Sequence, residues 1–237
     1  MMPPKALFLA PALSFLCLGM PFQGIAHADS ETGSMQSAAP KGLSPCAPDD
    51  PVATMESRIA PSIGGQFVNC FHSEDRIRPP AGSAAAPVPL EYAFAIRLGS
   101  GPYTQANLDK LLATVTAQWK DFQPLSGEVR ETYIARINAL AKAAGETSAT
   151  IASVKPVLVS IERLDAKSYS VVSIRSYVFN ESSGQTRTTK VNADAVVLRG
   201  SDLIRLTMQR VLTKPADVDR LRGEISQWAR ATEGPAP

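Results

Sequence analysis

The sequence predicts an α+β domain: an antiparallel β-meander sheet packed with helices, in the order β-α-α-β-β-β-β-α, preceded by a Pro/Ala-rich, disulfide-stapled N-terminal segment. Three observations predict it. Four successive stretches rich in Val, Ile, Thr and Tyr are separated by links of three or four residues, too short for anything but antiparallel neighbours. Helical periodicity flanks that block on both sides. Residues 29–89 carry few large apolar side chains but two cysteines.

The first strand is "EYAFAIRL" (91–98), where Tyr92, Phe94, Ile96 and Leu98 alternate with Glu91, Ala93, Ala95 and Arg97, the pattern of a half-buried strand. "GSGPY" (99–103) breaks it, and Thr104 is placed to cap a helix. In that helix Leu108, Leu111, Leu112, Val115, Trp119 and Phe122 form one stripe, ended by Pro124. A second helix is expected over 128–144, with Val129, Tyr133, Ile137 and Leu140 on one side and Gly145 at its end.

The meander follows as "KPVLVSIERL" (155–164), "SYSVVSIRSYVFN" (168–180), "QTRTTKVNADAVVL" (185–198) and "DLIRLTMQRVL" (202–212). Pro156 suits a strand start, where a missing donor does little harm. The closing helix, 214–232, opens with Pro215 and has Asp217 and Asp219 in its first turn, complementing the helix dipole. Val218, Leu221, Ile225 and Trp228 make its buried stripe, and "EGPAP" (233–237) is a tail.

Ahead of this domain, residues 1–28 read as an export signal. Lys5 precedes the apolar run "ALFLAPALSFLCLGM" (6–20), and Ala26-His27-Ala28 fits a cleavage site that leaves Asp29 first. Leu16 before Cys17 departs from the small residue that lipoprotein signals usually carry there. No other long apolar run exists, so no transmembrane span is expected after cleavage. The domain plan is therefore signal peptide 1–28, flexible segment 29–89, folded domain 90–232 and tail. A periplasmic or secreted location is expected.

In an exported chain the two remaining cysteines, Cys46 and Cys70, are most simply one disulfide. That expectation bears on "VNCFHSED" (68–75), where Cys70, His72, Glu74 and Asp75 lie close enough to suggest a thiol nucleophile with its base, or half a metal site. A sulfur held in a disulfide serves neither purpose. His72 is the one histidine after the signal, so the folded domain lacks the commonest general base.

No phosphate-cradling glycine loop, G-x-S-x-G or H-E-x-x-H is present, and no catalytic, cofactor-binding or metal-ligating residues are assigned. The formal charge, +2 for the whole chain and about +1 after cleavage, provides no footprint for nucleic acid. If Ile204, Leu206 and Met208 face the core, then Arg205, Thr207 and Gln209 turn the other way, as do Ser173, Arg175 and Tyr177 on the earlier strand. Arg175, Tyr177, Arg205 and Gln209 are accordingly the expected contact face for a protein or envelope component.

The run "VNADAVVLRGSDLIRLTMQRVLTKPADVDRLRGEISQWARAT" (191–232) resembles the closing strand-strand-helix of the Mog1/PsbP-like α/β/α sandwich superfamily, which includes small bacterial envelope proteins. The likeness covers about the last 80 residues, and the chain departs from that pattern in lacking an obvious leading hairpin and in placing two helices before the meander. The resemblance implies a sandwich fold and an accessory or binding role, with no shared catalytic residue. The leading expectation is an exported, non-catalytic binding or accessory protein. The alternatives are an envelope hydrolase or thiol-dependent enzyme using Cys70 and His72, and an immunity-type inhibitor of a toxin.

Overall fold

The computed structural model describes residues 38–77, 88–99, 101–121, 149–181 and 184–232, with single positions between 131 and 142. The expected signal, the stretches 29–37 and 78–87, Cys17 and the tail lie outside the described residues, as does most of the helix expected over 128–144.

The chain enters through β1 (Ser44–Pro45) and α1 (Pro51–Ile59), then a 3-10 turn at Ala60–Ile63, β2 (Gly65–His72), and a two-residue pair of β3 (Arg76–Ile77) with β4 (Val88–Pro89). It continues through β5 (Glu91–Leu98), α2 (Gln105–Asp121), β6 (Ala149–Arg163), β7 (Ser168–Glu181), β8 (Gly184–Arg199), β9 (Asp202–Val211) and α3 (Ala216–Thr232). One seven-stranded sheet, ordered β1-β2-β5-β9-β8-β7-β6 and antiparallel throughout, organises the whole. The expected meander is present as β6 to β9, and β9 then pairs with β5.

Both faces of the sheet are covered. On one, Val52, Met55 and Ile59 of α1 and Leu108, Leu111, Val115 and Trp119 of α2 pack on Tyr92, Phe94, Ile96, Val196 and Leu203. On the other, Leu221, Ile225 and Trp228 of α3 pack on Leu206 and Met208. The floor beneath α3 is made of Ala93, Ala95, Ala193 and Ala195, short side chains that let a helix come close. This arrangement corrects the half-buried reading of β5: its alanine face is buried as fully as its aromatic face.

Local chemistry starts each helix. Asp50 caps α1, its Oδ1 accepting from the backbone N–H of Val52 at 2.8 Å, with Pro51 following. Thr104 and Asn107 cap α2 reciprocally: the Thr104 N–H donates to Asn107 Oδ1 at 2.8 Å and the Asn107 N–H to Thr104 Oγ1 at 3.4 Å. Asp217 reaches back from α3 to the N–H groups of Thr213 and Lys214, both at 2.9 Å, and also receives Arg210 Nε at 2.9 Å. Arg210 in turn holds Glu91 at 2.9 Å, so one buried ion cluster ties α3 to β9 and β5.

The boundary expected at residue 89 is corrected. Residues 44–72 form two strands and a helix of the same sheet and core, with β2 paired to β5 from Gly65↔Leu98 to His72↔Tyr92. The disulfide is present, joining Cys46 to Cys70. It ties the residue that follows β1 to strand β2 of the same sheet instead of closing a separate loop.

Candidate functional site

The expected contact residues share one face, and that face is the interior. Arg175 is 1%, Tyr177 0%, Arg205 2% and Gln209 2% exposed, so the open surface expected there is corrected to a covered one. The physical reason is the pairing of their charges across strands. Asp194 on β8 accepts from Arg205 Nη2 at 2.7 Å and from Thr207 Oγ1 at 2.7 Å, and its second oxygen lies 3.8 Å from Arg175. A paired guanidinium can be buried where a lone one cannot.

Glu56, from α1, completes this cluster. It is wholly buried, and neither carboxyl oxygen has a hydrogen-bond partner among the described residues. Burial pushes its carboxyl up to about 8; Arg205 pulls it down and Asp194 pushes it further up. Glu56 is therefore a neutral acid at pH 7. The Tyr169 hydroxyl, also buried and without a hydrogen-bond partner among the described residues, belongs to the same neighbourhood, and burial raises it well above its usual range. Nearby, desolvation lowers the Lys190 ammonium to about 7.

Perturbed acids and bases often mark active sites. Here the cavity bounded by Trp119, Tyr169, Arg175 and Asp194 has a volume of about 10 Å³, room for a water and nothing larger. The cluster is a polar seam in the core, and sequence reasoning missed Glu56, Tyr169 and Asp194 because their relations lie between elements.

An open concavity among the described residues lies at the β1–β2 edge of the sheet. A groove of about 830 Å³ runs between α1, the segment 38–48 and β2, a volume suited to a ligand. Ala38, Ala53, Thr54, Phe67, Val68 and Phe71 are among its lining residues. The Cys46–Cys70 disulfide is part of this lining, which among the described residues includes no Asp, Glu, Lys, Arg or His. Such a described lining suits an uncharged group.

Of the residues singled out in "VNCFHSED", Cys70 has its sulfur bonded to Cys46. His72 is outside the groove lining; its Nδ1 lies 3.0 Å from the Ser73 carbonyl and its ring meets Tyr92 edge-on at 6.3 Å. Asp50 lies close enough to both cysteines to suggest a three-ligand metal cluster. Its carboxylate is engaged at the start of α1 and the two sulfurs are bonded to each other, so this set does not fit a metal ion. None of the described helices is long and apolar enough to cross a membrane. In comparison with known proteins, the chain matches no family model and no curated protein sequence.

Proposed function

We propose that this chain is an exported, non-catalytic binding or accessory protein of the bacterial envelope, and that the groove beside the disulfide is its ligand site. The observation that carries the reading is the separation of the two kinds of site. Among the described residues, the lining of this groove has no ionisable side chain, whereas the perturbed carboxyl and ammonium groups are buried in the core. Support for export comes from the signal-like residues 1–28 and from a disulfide of the kind that persists in oxidising compartments. The C-terminal resemblance to the Mog1/PsbP-like superfamily points to the same class of role. A thiol-dependent activity would need the Cys70 sulfur that the disulfide occupies.

Nile red, an uncharged dye that brightens in apolar surroundings, tests the groove. The folded protein should enhance its emission, Thr54→Trp should abolish the enhancement by filling the groove, and Gln227→Trp on the exposed side of α3 should leave it unchanged. No enhancement by the folded protein, or equal enhancement by both variants, overturns the reading. An intact mass of the protein recovered from its native compartment tests export: the expected chain begins at Asp29 with both cysteines oxidised.

A further inference from the structure

Helix α1 serves two places at once. Val52, Met55 and Ile59 pack into the core, while Ala53, Thr54 and Ser57 belong to the lining of the groove. Glu56 stands with the core residues, one turn after Val52, and is wholly buried. Neither of its carboxyl oxygens has a hydrogen-bond partner among the described residues. The charged and titratable groups described in this neighbourhood are Arg205 on β9, Asp194 on β8, and Arg175 and Tyr169 on β7. α2 brings Val115 and Trp119 to it, which carry no charge, and Arg58 on α1 itself is exposed.

Ionising Glu56 where it stands would leave a buried carboxylate without a hydrogen-bond donor beside a second carboxylate. Arg205 does not relieve this by hydrogen bonding, since its Nε and Nη2 donate to Asp194 Oδ1 at 3.1 and 2.7 Å. The strands beneath cannot yield, because β8 and β9 are each paired on both sides. α1 can. It is nine residues long, preceded by Cys46, which is bonded to Cys70 of β2, and followed by the 3-10 turn and Gly64, whose φ of 72° only glycine adopts readily. The stretch between Cys46 and Gly64 can swing out while both of its ends stay fixed to the sheet.

We propose that α1 is a pH-sensitive gate on the groove, docked on the sheet while Glu56 keeps its proton and lifted when the proton leaves, so that groove binding is strongest in acid and weakens as pH rises. The inference rests on the groove being the ligand site and names what regulates it. Lifting puts Glu56 in water, where its ordinary value of 4.5 applies, against about 8 when docked. Below pH 4.5 both forms are protonated and opening is independent of pH. Between 4.5 and 8 opening releases a proton, and the ratio of open to docked chains rises about tenfold per pH unit. Above 8 it levels off. A lifted α1 takes Ala53, Thr54 and Ser57 out of the lining, so a ligand that touches them binds the docked form and holds Glu56 protonated.

Two measurements on the full chain test the gate. Hydrogen exchange at the α1 amides, each rate divided by its intrinsic value, should show opening of α1 increasing by roughly 50- to 100-fold from pH 5.5 to 7.5, with the amides of α3 better protected throughout. Glu56→Gln should remove that pH dependence. Nile red affinity should fall by about threefold or more from pH 5.5 to 8.5 in the wild type and stay constant in Glu56→Gln. The wild-type series decides the matter by itself if the variant does not fold. Opening of α1 that does not change with pH, or α1 and α3 exchanging together, overturns the gate, and so does a wild-type dye affinity equal at both pH values; in each case the ligand site stands. Failure of the dye to bind at any pH removes the ligand-site reading, and the gate falls with it.

Discussion

Replacing Glu56 with Gln should make the protein more stable, and increasingly so as pH rises. In the folded chain the carboxyl is held at about 8 by burial, against an ordinary value of 4.5. Below pH 4.5 the acid is protonated in both the folded and unfolded states, and the linkage vanishes. Between 4.5 and 8 the unfolded chain releases this proton and the folded chain keeps it, so the wild type loses about 1.4 kcal/mol for each pH unit. Above 8 both states are ionised and the loss levels off. From pH 5 to pH 8 the expected loss attributable to Glu56 is about 3 kcal/mol.

Glu56→Gln keeps the shape and removes the titration. Urea unfolding of both proteins at several pH values measures the difference, and all other titrating groups cancel. An advantage for the variant that is small at pH 5 and grows by a few kcal/mol toward pH 8 fits the argument. A difference independent of pH would mean that Glu56 is ionised in the fold, held by Arg205 against Asp194, and the reasoning from burial would be wrong.

Other perturbations follow the same physics. Lys190→Met should stabilise the chain most below pH 7, by up to about 5 kcal/mol, because desolvation holds the ammonium at about 7 in the fold against 10.5 outside it. That gain should shrink as pH rises from 7 toward 10.5, the opposite slope from Glu56 and in a higher window, measurable by the same unfolding series. Replacing Cys46 and Cys70 together with Ala should cost about 3 kcal/mol, given a sequence separation of 24, read as a lower urea midpoint than that of the oxidised wild type. Asp217→Ala strips α3 of its first-turn anchor and removes one of the carboxylates on buried Arg210; a loss of about 3 kcal/mol is expected in calorimetric or urea unfolding, with Asp217→Asn losing less.

The meander and the closing helix are legible because their signals are local. The period of two in 168–180 and the capping sequence before 105 are read within a few residues, and β5 is observed at the expected 91–98. Residues 51–72 are harder. Asp50-Pro51 and the spacing of Val52, Met55 and Ile59 announce a short helix, and "GQFVNCFH" alternates, but surrounding Pro and Ala hide both in composition. The covered face shows a deeper limit. Alternation correctly puts Arg175, Tyr177, Arg205 and Gln209 on one side of the sheet, yet polar side chains there do not imply water. What buries the two arginines is Asp194, on the strand between theirs, a relation fixed by register and invisible to any local window. The groove is equally hidden: its small and apolar residues are unremarkable until α1 and β2 bring them together.

The strand order also governs when the molecule can be finished. β2 and β5 precede the meander, but β5 finds its second neighbour only in β9, the last of the described strands. Until β9 emerges, the amino-terminal strands form an isolated ladder, and the β6–β8 hairpins form another with the edge of β8 that β9 will occupy still unpaired. The two halves meet through β9, followed by a single helix. Truncation just short of residue 202 should therefore leave two incomplete halves with exposed edges, a species prone to aggregate, in place of a smaller stable domain. Residues 202–232 act as the clasp of the sheet, because β9 alone joins the β2–β5 pair to the β6–β8 ladder.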